Sequence, residues 1–270
     1  MKCKILLGQF VLATVLTSGA LAAETVEVPE RITDAKKIVF CTEMAFPPWE
    51  MLDPTTQQPT GFDIDIAAAV AKQLGVTNEH KNITFDGLIP ALQASQCDAV
   101  ISGLYDKPER REVVDFVNYA LTGTAIILRN DSALAASTLD DLSGQKVAVG
   151  IGTTGESLLT EANERLVAAA KPPINVIVLQ TSTEAFQQLM SGLVEAYLST
   201  TDQAGYYNKL TPNSVKLAGD QLNQLPTGIA IRKDDPELLK AIETAFANMR
   251  EDGTYQAILD DWSFQALTLP

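Results

Sequence analysis

Beyond an apolar start, the chain alternates short apolar runs with amphipathic stretches, and that alternation predicts an architecture. Residues 37–41 (KIVFC) have the length and apolar content of a buried strand. Residues 63–74 place Ile66, Val70 and Leu74 at helical spacing, and Gly75 follows as a stop signal. A strand is then expected over 82–85, a helix over 88–94 and a strand over 99–102. The order β-α-β-α-β is that of a parallel sheet covered by helices.

The second half repeats this grammar. Strands are expected over 146–149, 175–179 and 196–199, with helices over 156–170 and 184–193 between them. Two stretches match in detail. Phe85-Asp-Gly-Leu-Ile-Pro-Ala-Leu-Gln leads to Asp98-Ala-Val-Ile-Ser102, and Thr183-Glu-Ala-Phe-Gln-Gln-Leu-Met-Ser leads to Glu195-Ala-Tyr-Leu-Ser199. Each reads as an amphipathic helix, a polar turn, then acid-Ala-apolar-apolar-Ser. The expectation is an α/β protein with two similar units, each a mainly parallel sheet flanked by helices. Ligands bind at the C-terminal ends of parallel strands in such sheets, so two facing units would form a cleft from those ends. Gly123 and Gly228 are where the chain is expected to cross between units.

At the N-terminus, Lys2 and Lys4 precede an apolar run over 5–16, and small residues lead to Ala20-Leu21-Ala22. Positive charge, a short apolar core and an A-x-A site in that order predict a secretory signal peptide over 1–22. Gln9, Thr14, Thr17 and Ser18 break the run, which falls short of the roughly 20 apolar residues of a spanning helix. Removing Lys2 and Lys4 takes the formal charge from −14 to −16. A chain this acidic repels nucleic acid and anionic lipid, so neither is expected as a partner.

Cys41 and Cys97 remain after the leader. An oxidising compartment permits a bridge. Yet Cys41 lies near the end of one predicted strand and Cys97 at the start of another. If the strands are parallel neighbours, the offset is roughly 10 Å at about 3.3 Å per residue, beyond disulfide reach. Two buried free thiols are expected.

The strongest local feature is Ser102-Gly-Leu-Tyr-Asp-Lys-Pro-Glu-Arg110. A strand ends at Ser102, and Gly103 allows close backbone approach. Asp106-x-x-Glu109 reads as a capping box with Pro108 in the first helical turn. Arg110 then either holds a carboxylate in a two-pronged contact or pairs on the surface with Glu109 or Asp115. The second half offers Val149-Gly-Ile-Gly-Thr-Thr-Gly-Glu156, where Thr153-x-x-Glu156 opens a helix directly after a strand. Free N–H groups there favour an anion, with Thr153 and Thr154 adding donors; a tight turn alone would read the same way. In Thr42-Glu-Met-Ala-Phe-Pro-Pro-Trp49, Phe46 is expected as a ligand wall and Trp49 as packing beneath the loop.

Catalysis finds little support. His80, the one histidine, is placed in a polar loop, which argues against a Ser–His–Asp triad and excludes a multi-histidine metal site. Asp63/Asp65 and Asp260/Asp261 read as solvated helix faces. No cofactor and no metal are expected.

Together these pieces resemble family 3 of the bacterial solute-binding proteins, the polar amino-acid receptors of ABC importers. The resemblance runs from 38–49 through Gly61-Phe-Asp-Ile-Asp-Ile, 85–92 and 108–116 to Gly253-Thr-Tyr-Gln-Ala-Ile-Leu-Asp-Asp-Trp262. It implies the two-lobed periplasmic-binding-protein fold, with lobe one from 23–120 plus 228–270, lobe two from 121–227, and two hinge crossovers. It further implies a periplasmic monomer that serves an ABC transporter permease and binds an amino acid or related small carboxylate.

By the same resemblance, Arg110 clamps the ligand carboxylate, and Ser102 and Gly103 contribute the strand end. Thr153 and Thr154 meet the carboxylate from lobe two, Phe46 and Phe85 are aromatic walls, and Glu43 reads the ligand's side chain. Two positions depart from the pattern. Thr200 stands where the family usually has an aspartate for the α-ammonium, with Asp202 two residues on. Tyr105 stands where threonine is common. A modified amino acid, or a carboxylate without the amine, therefore stays open. So does a lyase resembling the cyclohexadienyl dehydratases, with Glu43 as the candidate acid or base.

Overall fold

The structure is a computed structural model that describes residues 24–269; the expected signal segment over 1–22 lies outside the described residues. The first half runs α1 (Glu30–Ala35), β1 (Lys37–Thr42), β2 (Ala45–Phe46), β3 (Glu50–Leu52), β4 (Pro59–Thr60), α2 (Phe62–Gln73), β5 (Thr77–Asn82), α3 (Leu88–Gln93), β6 (Ala99–Val100), α4 (Pro108–Arg111) and β7 (Val114–Thr122). It continues with β8 (Thr124–Arg129), β9 (Lys146–Gly150), α5 (Thr154–Ala168), β10 (Asn175–Leu179), α6 (Ser182–Met190), β11 (Ala196–Thr200), α7 (Thr201–Leu210) and β12 (Val215–Ala218). The chain ends in β13 (Leu225–Arg232), α8 (Pro236–Glu251) and α9 (Thr254–Trp262).

Two five-stranded sheets organise these elements, ordered β5-β1-β6-β13-β7 and β10-β9-β11-β8-β12. In each, the first three strands run parallel and the last two join by antiparallel pairing, so both sheets are mixed. The fourth strand of each sheet is the one that arrives from the other: β8 follows β7 directly across Gly123, and β13 returns after β12. A Cβ on Gly123 would lie 2.0 Å from the Asn223 carbonyl oxygen, so the two passages run side by side there. The return passage lies between Ala218 and Leu225, ahead of Gly228, which sits inside β13.

Central strands are buried on both faces, which is why they read as continuous apolar runs. Ile38 and Phe40 of β1 join the core under α2, α8 and α9, while Cys41 faces the core under α3. In β9, Val147 and Val149 face one core and Ala148 the other. The edge strand β5 (TNEHKN) is largely exposed. Its polar sequence gives no strand signal, so the strand expected over 82–85 lies elsewhere: β5 ends at Asn82, and Phe85–Gly87 form a 3-10 turn. His80 is not in a loop; it lies on β5 beside Phe40, and burial lowers its pKa to about 4.

Cys41 and Cys97 are not free thiols but form a disulfide, with Cα atoms 5.7 Å apart. The expected offset assumed that Cys97 lies on the strand. Instead β6 begins at Ala99, opposite Phe40, and Cys97 sits in the preceding turn, packed with Cys41, Leu88 and Leu92.

Candidate ligand-binding cleft

The C-terminal ends of β1 and β6 in one sheet and of β9 and β11 in the other face a common cavity. Nine of the ten residues singled out from the sequence line it: Glu43, Phe46, Phe85, Gly103, Tyr105, Arg110, Thr153, Thr154 and Thr200. The tenth, Ser102, is fully buried behind the lining. Its hydroxyl donates to Glu50 Oε1 at 2.7 Å and accepts from the Glu43 N–H at 3.0 Å. Gly103 has φ +53°, and a Cβ there would lie 2.7 Å from the Phe46 ring, so only glycine brings this strand end against the aromatic wall.

Arg110 projects from α4 into the cavity. Both expected surface partners are taken by lysines, Glu109 by Lys107 and Asp115 by Lys233. The Arg110 guanidinium donates to the Tyr105 carbonyl at 2.9 Å and to the Gly152 carbonyl of the other half at 3.4 Å, and lies 5.5 Å from the Phe85 ring centroid. Burial draws its pKa down to about 10. The expected capping box at Asp106 does not form; Asp106 instead accepts from Arg111 and Asn118.

Opposite stands the start of α5. Thr153 caps it, accepting the Glu156 N–H, while the Glu156 carboxylate accepts the Gly152 N–H at 2.7 Å. The first-turn N–H groups have no intrahelical carbonyl to bond, and a helix start favours an anion. Arg110 and α5 therefore make the cationic, donor-rich end of the cavity.

An acidic group lines the same cavity. Glu43 is buried, and burial pushes its carboxyl up to about 7; the Ser182 N–H opposes the rise, and the charges of Asp86 and Glu184 add to it. Three buried polar atoms on the lining have no partner among the described residues: Glu43 Oε1, Tyr105 OH and Thr154 Oγ1. Ser182 and Tyr197 also line the cavity, and neither stands among the ten. The internal repeat aligns Phe85 with Thr183, one residue past Ser182, and so gives no direct signal for Ser182.

Behind the lining, Asp63 is fully buried, not a solvated helix face. It accepts the Gly103 N–H at 2.7 Å and the Tyr119 hydroxyl at 2.8 Å. Glu50 is buried beside it, and burial together with the Asp63 charge holds the Glu50 carboxyl well above its ordinary range. The raised Glu50 carboxyl favours its protonated form. Between the unfolded carboxylate value and about 7 the native state thus binds more protons than the unfolded chain, and stability falls as pH rises. The expected result is a higher melting temperature for the ligand-free protein at pH 5.5 than at pH 8, with Glu50→Gln flattening the difference. A flat wild-type profile would exclude the raised carboxyls.

The two halves also touch directly. Thr183 donates to the Ala45 carbonyl at 2.8 Å and Gln203 to the Pro47 carbonyl at 3.1 Å. Asp202, at the start of α7, accepts from Trp49, Thr122 and Thr200. Trp49 itself is fully buried beneath its loop.

The profile of the bacterial extracellular solute-binding proteins, family 3, matches residues 38–266. The ABC transporter arginine-binding protein 1 of Escherichia coli (strain K12) is 29% identical over 94% of this chain and 98% of its own. The L-cystine-binding protein TcyJ of the same strain is 30% identical over 75% of this chain and 74% of its own. Among solved structures, an ancestral arginine-binding protein bound to arginine superposes with a TM-score of 0.77 at 38% identity, covering 84% of this chain and 98% of that one. The ancestral amino acid-binding protein AncCDT-1, a precursor of cyclohexadienyl dehydratase, gives a TM-score of 0.77 at 36% identity, covering 86% and 97%.

Proposed function

The chain belongs to the bacterial extracellular solute-binding proteins, family 3, and from that membership we propose that it is the periplasmic substrate-binding component of an ABC importer. The ligand is an amino acid whose side chain carries hydrogen-bond donors, arginine being the first to test. It works as a monomer that hands its ligand to a membrane permease. The working division moves the expected bounds to the sheet ends: lobe one from 23–122 with 225–270 and lobe two from 124–218, with passages at Gly123 and 219–224. The lobes close on the ligand by hinge motion, a use common to this architecture.

One observation carries this reading. The cavity is lined by a guanidinium bonded to two carbonyls, by a helix start, and by a buried carboxyl oxygen with no partner among the described residues. A carboxylate suits the guanidinium and the helix start, and a cationic or donor-rich side chain suits Glu43. The test is a thermal-shift screen of refolded, ligand-stripped protein against amino acids, their derivatives and amine-free carboxylates. At a hundredfold excess over Kd a ligand adds about 2.7 kcal/mol of stability. Basic amino acids should give the largest shifts. A screen in which no amino acid raises Tm would overturn the reading.

Glu43 gives a second check. A cationic side chain needs its carboxylate form, while the closed cavity favours the protonated form below about 7. Binding then expels a proton, so affinity for L-arginine should fall as pH drops through about 7, by up to about tenfold per unit. Glu43→Gln should weaken arginine at pH 8 and flatten the profile in calorimetric titrations. Equal profiles for both proteins would remove Glu43 from the side-chain subsite.

A specific observation also favours a second reading. A carboxyl near neutrality inside a closed cavity is suited to general acid–base work, and AncCDT-1 is a precursor of a dehydratase. On that reading Glu43 moves a proton in a lyase reaction. Consumption of a ligand that binds, followed by chromatography, separates it from the receptor reading.

A further inference from the structure

Thr200 lines the cavity, yet its hydroxyl proton is already committed. It donates to Asp202 Oδ2 at 2.9 Å. Asp202 does not line the cavity. Its carboxylate also takes the Trp49 indole N–H and, at 2.6 Å, the Thr122 hydroxyl. An ionised carboxylate only accepts, so all three neighbours must donate to it. A threonine hydroxyl has one proton and two lone pairs. With the proton fixed on Asp202, Thr200 turns lone pairs alone towards the cavity, and a chain of hydrogen bonds ending on a carboxylate makes them stronger acceptors.

The arrangement holds together locally. Asp202 sits in the first turn of α7, where a negative charge is favoured. Burial raises its carboxyl above the ordinary range, and the donors from Thr122, Trp49 and Thr200 oppose the rise. Trp49 and Thr122 belong to the first half and Thr200 to the second. The full donor set therefore exists only when the halves are together.

We propose that Asp202, acting through Thr200, fixes that hydroxyl as an acceptor towards the cavity and so selects ligands that carry a protonated amine on that side. This deepens the function proposed above and rests on it. Asp202 is a positioning residue: it supplies negative charge one hydroxyl away from the ligand, where Thr200 itself has none.

The test compares L-arginine with its amine-free analogue, 5-guanidinopentanoate, by calorimetric titration. If the screen returns a different amino acid, that compound and its amine-free counterpart replace the pair. The proteins are wild type, Asp202→Asn, Thr200→Val and the double variant. Asp202→Asn should weaken the amino acid at least tenfold and the amine-free analogue less than threefold. Thr200→Val should show the same pattern, and the double variant should lose no more than either alone, because both act on one hydroxyl. Equal losses for both ligands would overturn the proposal and leave Asp202 as a latch between the halves; no loss for either would overturn it outright. A wild type that binds no amino acid would defeat the receptor reading and this inference with it, and the wild-type titration alone reports that result. Thr200→Val is close in shape to threonine, so the comparison stands even if Asp202→Asn fails to fold.

Discussion

Arg110→Ala is expected to weaken ligand binding by about 3 kcal/mol, roughly 150-fold. The reason lies in what surrounds the guanidinium. Its bonds among the described residues go to two carbonyls, at Tyr105 and Gly152, while Glu109 and Asp115 pair with lysines and Asp106 with Arg111. A ligand carboxylate would be its main charged partner, in a cleft where water screens little. Lysine at 110 should recover only part of the loss, since it keeps the charge without the planar fork. Calorimetric titration with the best ligand from the screen measures the effect. Affinity within threefold of wild type would remove Arg110 from the carboxylate end.

Loss of the Cys41–Cys97 bridge is the second large effect. The two cysteines are 56 residues apart in sequence, and closing a loop of that length stabilises the folded state by about 4 kcal/mol in the chain-entropy model. For a chain of this size that corresponds to about 8–16 °C in Tm. The paired Cys41→Ser, Cys97→Ser variant should therefore melt well below wild type, as should wild type under a strong reductant. Binding should weaken as well, because Cys41 lies two residues before Glu43 and Cys97 leads into the strand that delivers Gly103. A fall of less than about 3 °C would mean that core packing alone holds these two strands together.

The bridge also shows where sequence pattern stops being informative. Strand spacing places the start of β6 at Ala99, but not the path of the turn before it, which carries Cys97 against Cys41. That turn decides between a disulfide and two free thiols. The strand β5 is hidden for a related reason: an edge strand packs on little, so TNEHKN carries no apolar period. Asp63 misleads in the opposite sense. Beside Asp65 in a helix opening it looks like solvated charge, and only the return of Gly103 and Tyr119 from elsewhere in the chain buries it.

What the sequence determined by itself was local and repeated. Apolar runs of strand length, helices at 3.6 spacing and the Thr153 helix start follow from neighbours a few residues apart, and the twin units follow from their repetition. Strands of a parallel unit end on one side, so the pattern nominates residues past those ends, Gly103, Arg110 and Thr153 among them, and the family resemblance adds Glu43 and Thr200. Tertiary structure decided the rest: that Ser102 turns inward to Glu50, that Cys41 meets Cys97, and that Asp202 collects Trp49 and Thr122 behind Thr200. Those pairings join positions as far as 153 residues apart. Their free energy depends on burial and on which donors arrive together, and no local period in the chain encodes either.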